Sequence, residues 1–528
     1  MNKTVSLFLV TILLMGCSSA SIKKHNIHLN QLIAVNDLKA DVDYTHNKIK
    51  QLHPDLYRYI SKNELDLKFD SLKTTIRKPI NSASFYKIVS PTVAAIRQGH
   101  TYVFAPTKIL DKKESEALIK KGTGPFSQFE FGLFNDKIYV IRNKSDNPTI
   151  KTGSEVVAVN GVKPIDLINE HNRYYSSDGY NNTFKTAKNG GRFSNFFFHD
   201  YGYKDTIQYD FKINDSIKRI TTVRHNKDTS GTKTKKIVPE KIVVDRLIAK
   251  ASKHRKRISG YNKSENIYNR NLRFIQKDSS VALMKINSFR LGNYTTFYKE
   301  SFTKIEQYKT NTLILDLRNN GGGALSEIEK LYSYLSDSSY VFLDKSEVVS
   351  RSSLFRAGYF SGGSIAKKAI KAVFAPLVYG YLLLSVHKNE NGKIYIANQS
   401  KLRKTNKKAF KGKLYVLING GSFSASCIIS SNLKGSKRAT FVGEETGGAF
   451  NGTVAGFMPL KKLPNSKIQI RIGTMSIAPH FKTDIEGHGI YPDVAIQPTL
   501  EDAINGNDPE LNWVLEDIKS KYNPILNK

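Results

Sequence analysis

From residue 276 onward, short apolar runs alternate with stretches of helical periodicity, and this alternation constrains the fold more than any other feature of the chain. Val281–Ile286, Thr312–Asp316, Lys413–Ile418 and Ala439–Gly443 each have the length and aliphatic content of a strand buried on both faces. Such strands joined by helical crossovers build a largely parallel α/β sheet, the fold class expected here.

Two of these strands run into glycine-rich loops that open helices. The first loop is Asp316-Leu317-Arg318-Asn319-Asn320-Gly321-Gly322-Gly323, followed by a helix from Ala324 through Leu335. Strand, glycines and helix in that order present backbone N–H groups to an anion. No Gly-Lys-Ser/Thr follows, so it is not a phosphate loop, and the glycines lack dinucleotide spacing. Its amides could stabilise an oxyanion, or the glycines could serve a tight turn. The second loop, Asn419-Gly420-Gly421-Ser422-Phe423-Ser424-Ala425-Ser426-Cys427, also enters a helix. A serine there sits in the positive end of the helix dipole, and the following amide can donate to an oxyanion. A helix cap would also use serine. Spacing does not choose among Ser422, Ser424 and Ser426, and the absence of G-x-S-x-G disfavours an α/β-hydrolase.

At 528 residues the chain exceeds one core, so several domains are expected. Residues 1–16 read as a signal peptide, with Lys3 and an apolar run from Val5 to Met15 that is short for a membrane span. Leu14-Met15-Gly16-Cys17 resembles a bacterial lipobox, which implies acylation of Cys17 and a lipid anchor in the cell envelope. Ser18 rather than Asp follows, so the resemblance favours the outer membrane. Residues 17–35 read as a tether and 36–121 as a helical region, with helices at Leu38–Leu52 and Ser82–Arg97, the latter interrupted at Pro91. Residues 122–225 alternate in strand fashion, with an insertion at 171–205. Within them, Gly153 to Val162 resembles the Gly-Ser-x-Val run and Asn-Gly turn of a PDZ domain, which implies strand addition of a peptide. Residues 226–275 read as a basic linker, 276–500 as the core with an insertion at 345–410, and 501–528 as a helical tail. Ala372–Val386, apolar but holding Pro376 and Gly380, reads as a lid or interfacial segment, or equally as a buried helical insertion.

The formal net charge of +35 raises nucleic acid or anionic lipid as partners. The lysines are dispersed and no nucleic-acid motif accompanies them, so no nucleic acid is expected, and attraction to an anionic envelope surface remains. Cys17 and Cys427 are the only cysteines. With Cys17 acylated no disulfide forms, and one thiol with scattered histidines makes no metal site. No cofactor is expected.

The combination Asp316–Gly323, Gly421–Ser426 (G-S-F-S-A-S) and Val442–Gly448 (V-G-E-E-T-G-G) resembles the C-terminal-processing, or tail-specific, and tricorn-like serine peptidases. The resemblance implies a Clp protease/crotonase-like core preceded by a PDZ-like domain, polypeptide substrates, and Ser424 as nucleophile. It implies Gly322 and Ala425 as the oxyanion hole. One branch of the family uses a lysine base, but no lysine occurs from 441 through 460. The tricorn-like branch implies His100, in Gly99-His100-Thr101, as base and Glu486, before Gly-His-Gly-Ile-Tyr-Pro-Asp, as the third member of a Ser-His-Glu triad. Gly99 stands where tricorn has Ser, and Cys427 where many relatives have Glu. His488 is a rival base beside Glu486, and His53 reads as structural. The expected function is a serine endopeptidase acting on envelope proteins. The alternative is a non-catalytic lipid- or peptide-binding protein on the same fold, using 171–205 and 372–386.

Overall fold

A computed structural model describes residues 20–225, 246–263, 265–290, 292–354, 365–396 and 400–522. Cys17, the signal segment and 226–245 of the expected linker lie outside the described residues.

The core is a six-stranded sheet. Its order is Val494–Ala495, Thr440–Gly443, Lys413–Ile418, Thr312–Asp316, Val281–Ile286, then Arg270–Phe274. The first five run parallel and the last pairs antiparallel with Val281–Ile286. Side chains alternate across the sheet, as the pleat requires. Leu313, Leu315, Val416 and Ile418 pack under Phe302, Leu331, Ile429 and Leu433 from three helices, Tyr294–Gln307, Leu325–Leu335 and Ala425–Gly435. Ile314, Tyr415, Leu417 and Val442 face the other way, onto Leu511, Val514 and Ile518 of the helix Pro509–Tyr522. Each such side chain contributes about 1.5–3 kcal/mol by leaving water.

Part of the expected linker belongs to this core. Arg246–Ser259 is a helix whose Ile258 joins the core cluster, and Arg270–Phe274 is the edge strand. Its basic residues suggested a solvated segment, but Arg270 is fully buried, with Nη2 2.7 Å from Glu327 Oε2. The tail is tied down as well: Arg318, in the first glycine loop, holds Asp508 and Glu510 at 2.6 and 3.1 Å.

The 345–410 region adds Ser346–Val348, Val386–Lys388 and Ile394–Ile396 to a second sheet with Met475–Ile477 and Thr453–Ala455. Between them lies the helix Ile365–Ser385, whose apolar side chains are largely exposed rather than buried.

Residues 129–223 form a five-stranded antiparallel sheet in sequential order, Phe129–Phe134 through Ser216–Val223. The segment read as an insertion supplies the helix Thr183–Tyr201, whose Phe193 and Phe197 fill that domain's core. At Gly190 it presses so close that a Cβ would lie 2.8 Å from Leu133 N.

The N-terminal helices Val35–Leu52, Lys62–Thr75 and Ser82–Ala94 bury Leu38, Val42, Phe69, Phe85 and Val89 against Ile468, Ile470 and Ile472 of a core hairpin. Buried Asp41 accepts the N–H groups of Asn465 and Ser466 at 2.9 and 2.6 Å. Pro91 does not break the third helix, which runs on to Ala94, one turn short of the expected Arg97. Tyr102–Val103 then pairs antiparallel with Ile470–Arg471, placing residue 100 on the core.

Candidate active site

Ser424 stands at the junction between the second glycine loop and the helix Ala425–Gly435, with φ +58° and ψ −120°. A non-glycine residue held there is strained by about 1–3 kcal/mol, which the surrounding loops must impose. They do so by close approach. A Cβ on Gly322 would lie 2.7 Å from Ser424 Cβ, and one on Gly448 would lie 2.8 Å from Cys427 Sγ. Asn320 ties the two loops together: its carbonyl accepts Phe423 N–H at 3.0 Å, and its Nδ2 donates to Ile286 O at 2.8 Å.

The three serines separate by what their hydroxyls do. Ser422 Oγ is buried and donates to Leu317 O at 2.8 Å. Ser426 Oγ is buried and donates to Asn320 O at 2.8 Å. Ser424 makes no cap hydrogen bond to its helix; its Oγ meets His100 Nε2 at 3.0 Å.

His100 reaches that position through a tight turn. Arg97 has φ +56°, Thr101 N–H donates to Gln98 O, and Gly99 N–H donates to Asp178 Oδ1 at 2.9 Å. The His100 ring meets Phe423 edge to face at 5.2 Å. Any side chain at position 99 would collide with that same ring, since a Cβ would lie 2.6 Å from Phe423 Cζ. Glycine rather than serine is therefore what this pocket accepts. Burial, assisted by the Arg471 and Arg290 guanidinium groups, pushes the His100 imidazole down to about 3. The ring is neutral at neutral pH and able to take a proton from Ser424.

Glu486 does not touch His100. Its Oε1 accepts from Arg58 Nε at 2.7 Å and its Oε2 from Asn451 Nδ2 at 2.8 Å. Burial works to raise this carboxyl, but the Arg58 and Asn451 hydrogen bonds outweigh it and hold the group below the usual carboxylate range. A direct triad contact through Glu486 is thus absent, because a guanidinium contributed by the N-terminal region claims the carboxylate. His488 is engaged elsewhere, its Nδ1 3.3 Å from Glu445 Oε1 and 2.9 Å from Tyr491 Oη. His53 is buried, and burial pushes it down to about 3.

Gly322 touches the nucleophile, yet its N–H donates to Asn320 Oδ1 at 2.9 Å and is not free for a substrate oxygen. Among the described residues, Ala425 N–H has no acceptor, which leaves it available beside Ser424 Oγ. Burial pushes the Cys427 thiol up to about 12, so it is inert at neutral pH.

Asp178 is the residue that sequence reasoning missed. Its Oδ1 accepts from Gly99 N–H and from Thr453 Oγ1 at 3.1 Å, while Oδ2 is buried without a partner. Burial pushes its carboxyl up to about 6. The same segment clamps the site: Ser177 donates to Gly447 O, Asn181 Nδ2 to Thr446 O, and Tyr180 N–H to Gly487 O. No local signal marks Asp178; its position in an aromatic- and Asn-rich stretch gave only composition.

The fold also brings His171 to the adjacent pair His199 and Asp200, three potential metal ligands. Asp200 is already shared by both rings, at 3.1 and 2.9 Å, and by the Lys87 ammonium at 2.9 Å. That cation supplies the charge a metal would bring, so the cluster reads as a hydrogen-bonded salt cluster.

Residues 280–496 match the family model described as peptidase family S41. A segment of 98 residues is 35% identical to a carboxy-terminal-processing protease of Bartonella bacilliformis, covering 19% of this chain and 21% of that protein. Another of 175 residues is 29% identical to a tail-specific protease of Haemophilus influenzae, covering 33% and 18% respectively. The matched segments thus span about a fifth of these relatives' length. The crystal structure of mature CPAF superposes with a TM-score of 0.58 at 14% identity, covering 93% of this chain and 98% of that one, a likeness of fold. Both glycine loops and the strands that carry them lie within residues 280–496, the segment that matches peptidase family S41.

Proposed function

We propose that the chain is a serine endopeptidase acting on polypeptides of the cell envelope, with Ser424 as nucleophile and His100 as general base. The observation that carries this is the 3.0 Å contact between a strained, otherwise uncapped serine hydroxyl and a neutral buried imidazole. Ser424 Oγ gives its proton to His100 Nε2 and attacks the scissile carbonyl carbon; Ala425 N–H stabilises the oxyanion. The leaving amine takes the proton back from Nε2 as the C–N bond breaks. Water, deprotonated by the same nitrogen, then releases the acyl group and restores Ser424. Glu486 is held by Arg58 and Asn451 and makes no direct contact with the imidazole.

The five-stranded domain is proposed to act as a PDZ-like module that adds a substrate strand at an edge of its sheet. Acylated Cys17 is proposed to hold the enzyme at the outer membrane, and incorporation of radiolabelled palmitate lost in Cys17→Ala tests that anchor. The decisive test of the activity is labelling by a fluorophosphonate probe together with hydrolysis of an unfolded protein. Both should vanish in Ser424→Ala; a chain that binds peptides but never reacts with the probe belongs instead to the non-catalytic alternative.

A further inference from the structure

The helix Ile365–Ser385 carries an exposed apolar surface. Ile370, Val373, Phe374, Leu377, Tyr381 and Leu384 follow one another at helical spacing and form a single exposed stripe; Val373, Leu377 and Leu384 are 74%, 72% and 80% accessible. Along a neighbouring line Ala375 and Ser385 are buried, and Val378 and Leu382 are partly so. The helix leads directly into Val386, which is buried and paired with Ile396. It therefore touches the protein body along that narrow line and leaves the rest of its surface outward, Leu383 on another face included. It is long and apolar enough to cross a bilayer, but the inward line and the internal Pro376 and Gly380 suit a helix lying in the interface.

The charges choose the occupant. The helix contains no acidic residue, its first turns carry the exposed Lys368 and the partly buried Lys371, and His387 and Lys388 follow its end. A two-fold contact with a second copy would set these lysines, on a chain of net charge +35, against their own kind. Anionic lipid headgroups complement them, with the apolar stripe entering the acyl boundary. Only residues 18 and 19 separate Cys17 from the helix at 20–30, a reach of about 10 Å, so an anchor there would keep the folded body at the bilayer. We infer that the exposed face of Ile365–Ser385 is a lipid-docking surface that seats the protein on an anionic membrane, independently of any acyl chain.

The test uses the chain beginning at residue 17 and carrying Cys17→Ser, so that no acyl group contributes and the anchor and peptidase readings are not at stake. Flotation with vesicles of equal parts phosphatidylglycerol and phosphatidylcholine is compared with phosphatidylcholine alone. The protein should float with the anionic vesicles and far less with the neutral ones. The triple variant Phe374→Ser, Leu377→Ser, Leu384→Ser should lose binding by about a hundredfold or more with an unchanged unfolding midpoint, as expected of exposed positions. Lys368→Glu with Lys371→Glu should weaken it by about tenfold or more and flatten its salt dependence. Equal binding to both vesicle types, undiminished flotation of the triple variant, or a solution dimer that this variant splits into monomers would each overturn the inference.

Discussion

His100 Nε2 lies 3.0 Å from Ser424 Oγ across a separation of 324 residues, so the N-terminal helical region and the core sheet complete the site jointly. Neither Ser424→Ala nor His100→Ala removes a structural hydrogen bond other than this one. Each should lower kcat/KM on an unfolded protein substrate by about a thousandfold or more while leaving the circular dichroism spectrum intact. Ser422→Ala and Ser426→Ala should behave oppositely. Each removes a buried donor to a loop carbonyl, costing about 1–3 kcal/mol in denaturant unfolding, while the probe still labels Ser424.

The acid limb of the pH–rate profile should lie far below the ordinary histidine range, since burial and two guanidinium groups push His100 down to about 3 and the base must be neutral to work. Arg471→Gln removes one of those cations, so the imidazole should protonate more easily and the limb should move to higher pH. A limb that stays in place would remove Arg471 from the tuning of the base.

Stability should fall as the solution is acidified below about 6.5, the unfolded histidine value. His100 and His53 are both pushed down to about 3, so between those values the unfolded chain binds two protons that the folded one refuses. Each contributes a slope of about 1.4 kcal/mol per pH unit. Asp178, pushed up to about 6, acts in the other direction from about 6 down to its unfolded value near 4 and offsets one of them there. Denaturant titrations across this range should therefore steepen below about pH 4, with His53→Gln halving the steep part.

Asp178→Ala should impair turnover without touching substrate. It leaves Gly99 N–H without its acceptor and frees the turn that aims His100, at a stability cost of about 1–3 kcal/mol. Because Asn keeps one acceptor oxygen, Asp178→Asn should recover much of the rate, a distinction that kcat measured under saturating substrate will show.

Gly99→Ala should be more damaging than an ordinary loop substitution, since the added methyl meets Phe423 Cζ at 2.6 Å. Combining it with Phe423→Leu should restore part of the Ser424 labelling rate. Failure of that rescue would separate the ring contact from the placement of His100.

The strands at 281–286, 312–316 and 413–418 were legible because burial on both faces leaves a continuous apolar run. The edge strand Arg270–Phe274 was not, since a buried arginine looks like a solvated one until Glu327 is brought against it from another helix. The same holds for Glu486, whose sequence context suggested a partner for the imidazole but whose carboxylate pairs with Arg58, more than four hundred positions away.

The sequence by itself determined the alternating sheet, the two glycine loops at the ends of its strands, and a choice of three serines at a helix entrance. These are local properties, set by side-chain periodicity and by the backbone freedom of glycine. Spacing left Ser422, Ser424 and Ser426 open and the family resemblance pointed to Ser424; only the tertiary structure decided which hydroxyls are engaged, Leu317 O and Asn320 O taking those of Ser422 and Ser426 while that of Ser424 meets His100. It likewise decided that Asp178 supports the turn of His100 and that Asn320 occupies the amide of Gly322. Those outcomes depend on which donors and acceptors packing has already consumed, and packing joins residues that no local pattern relates.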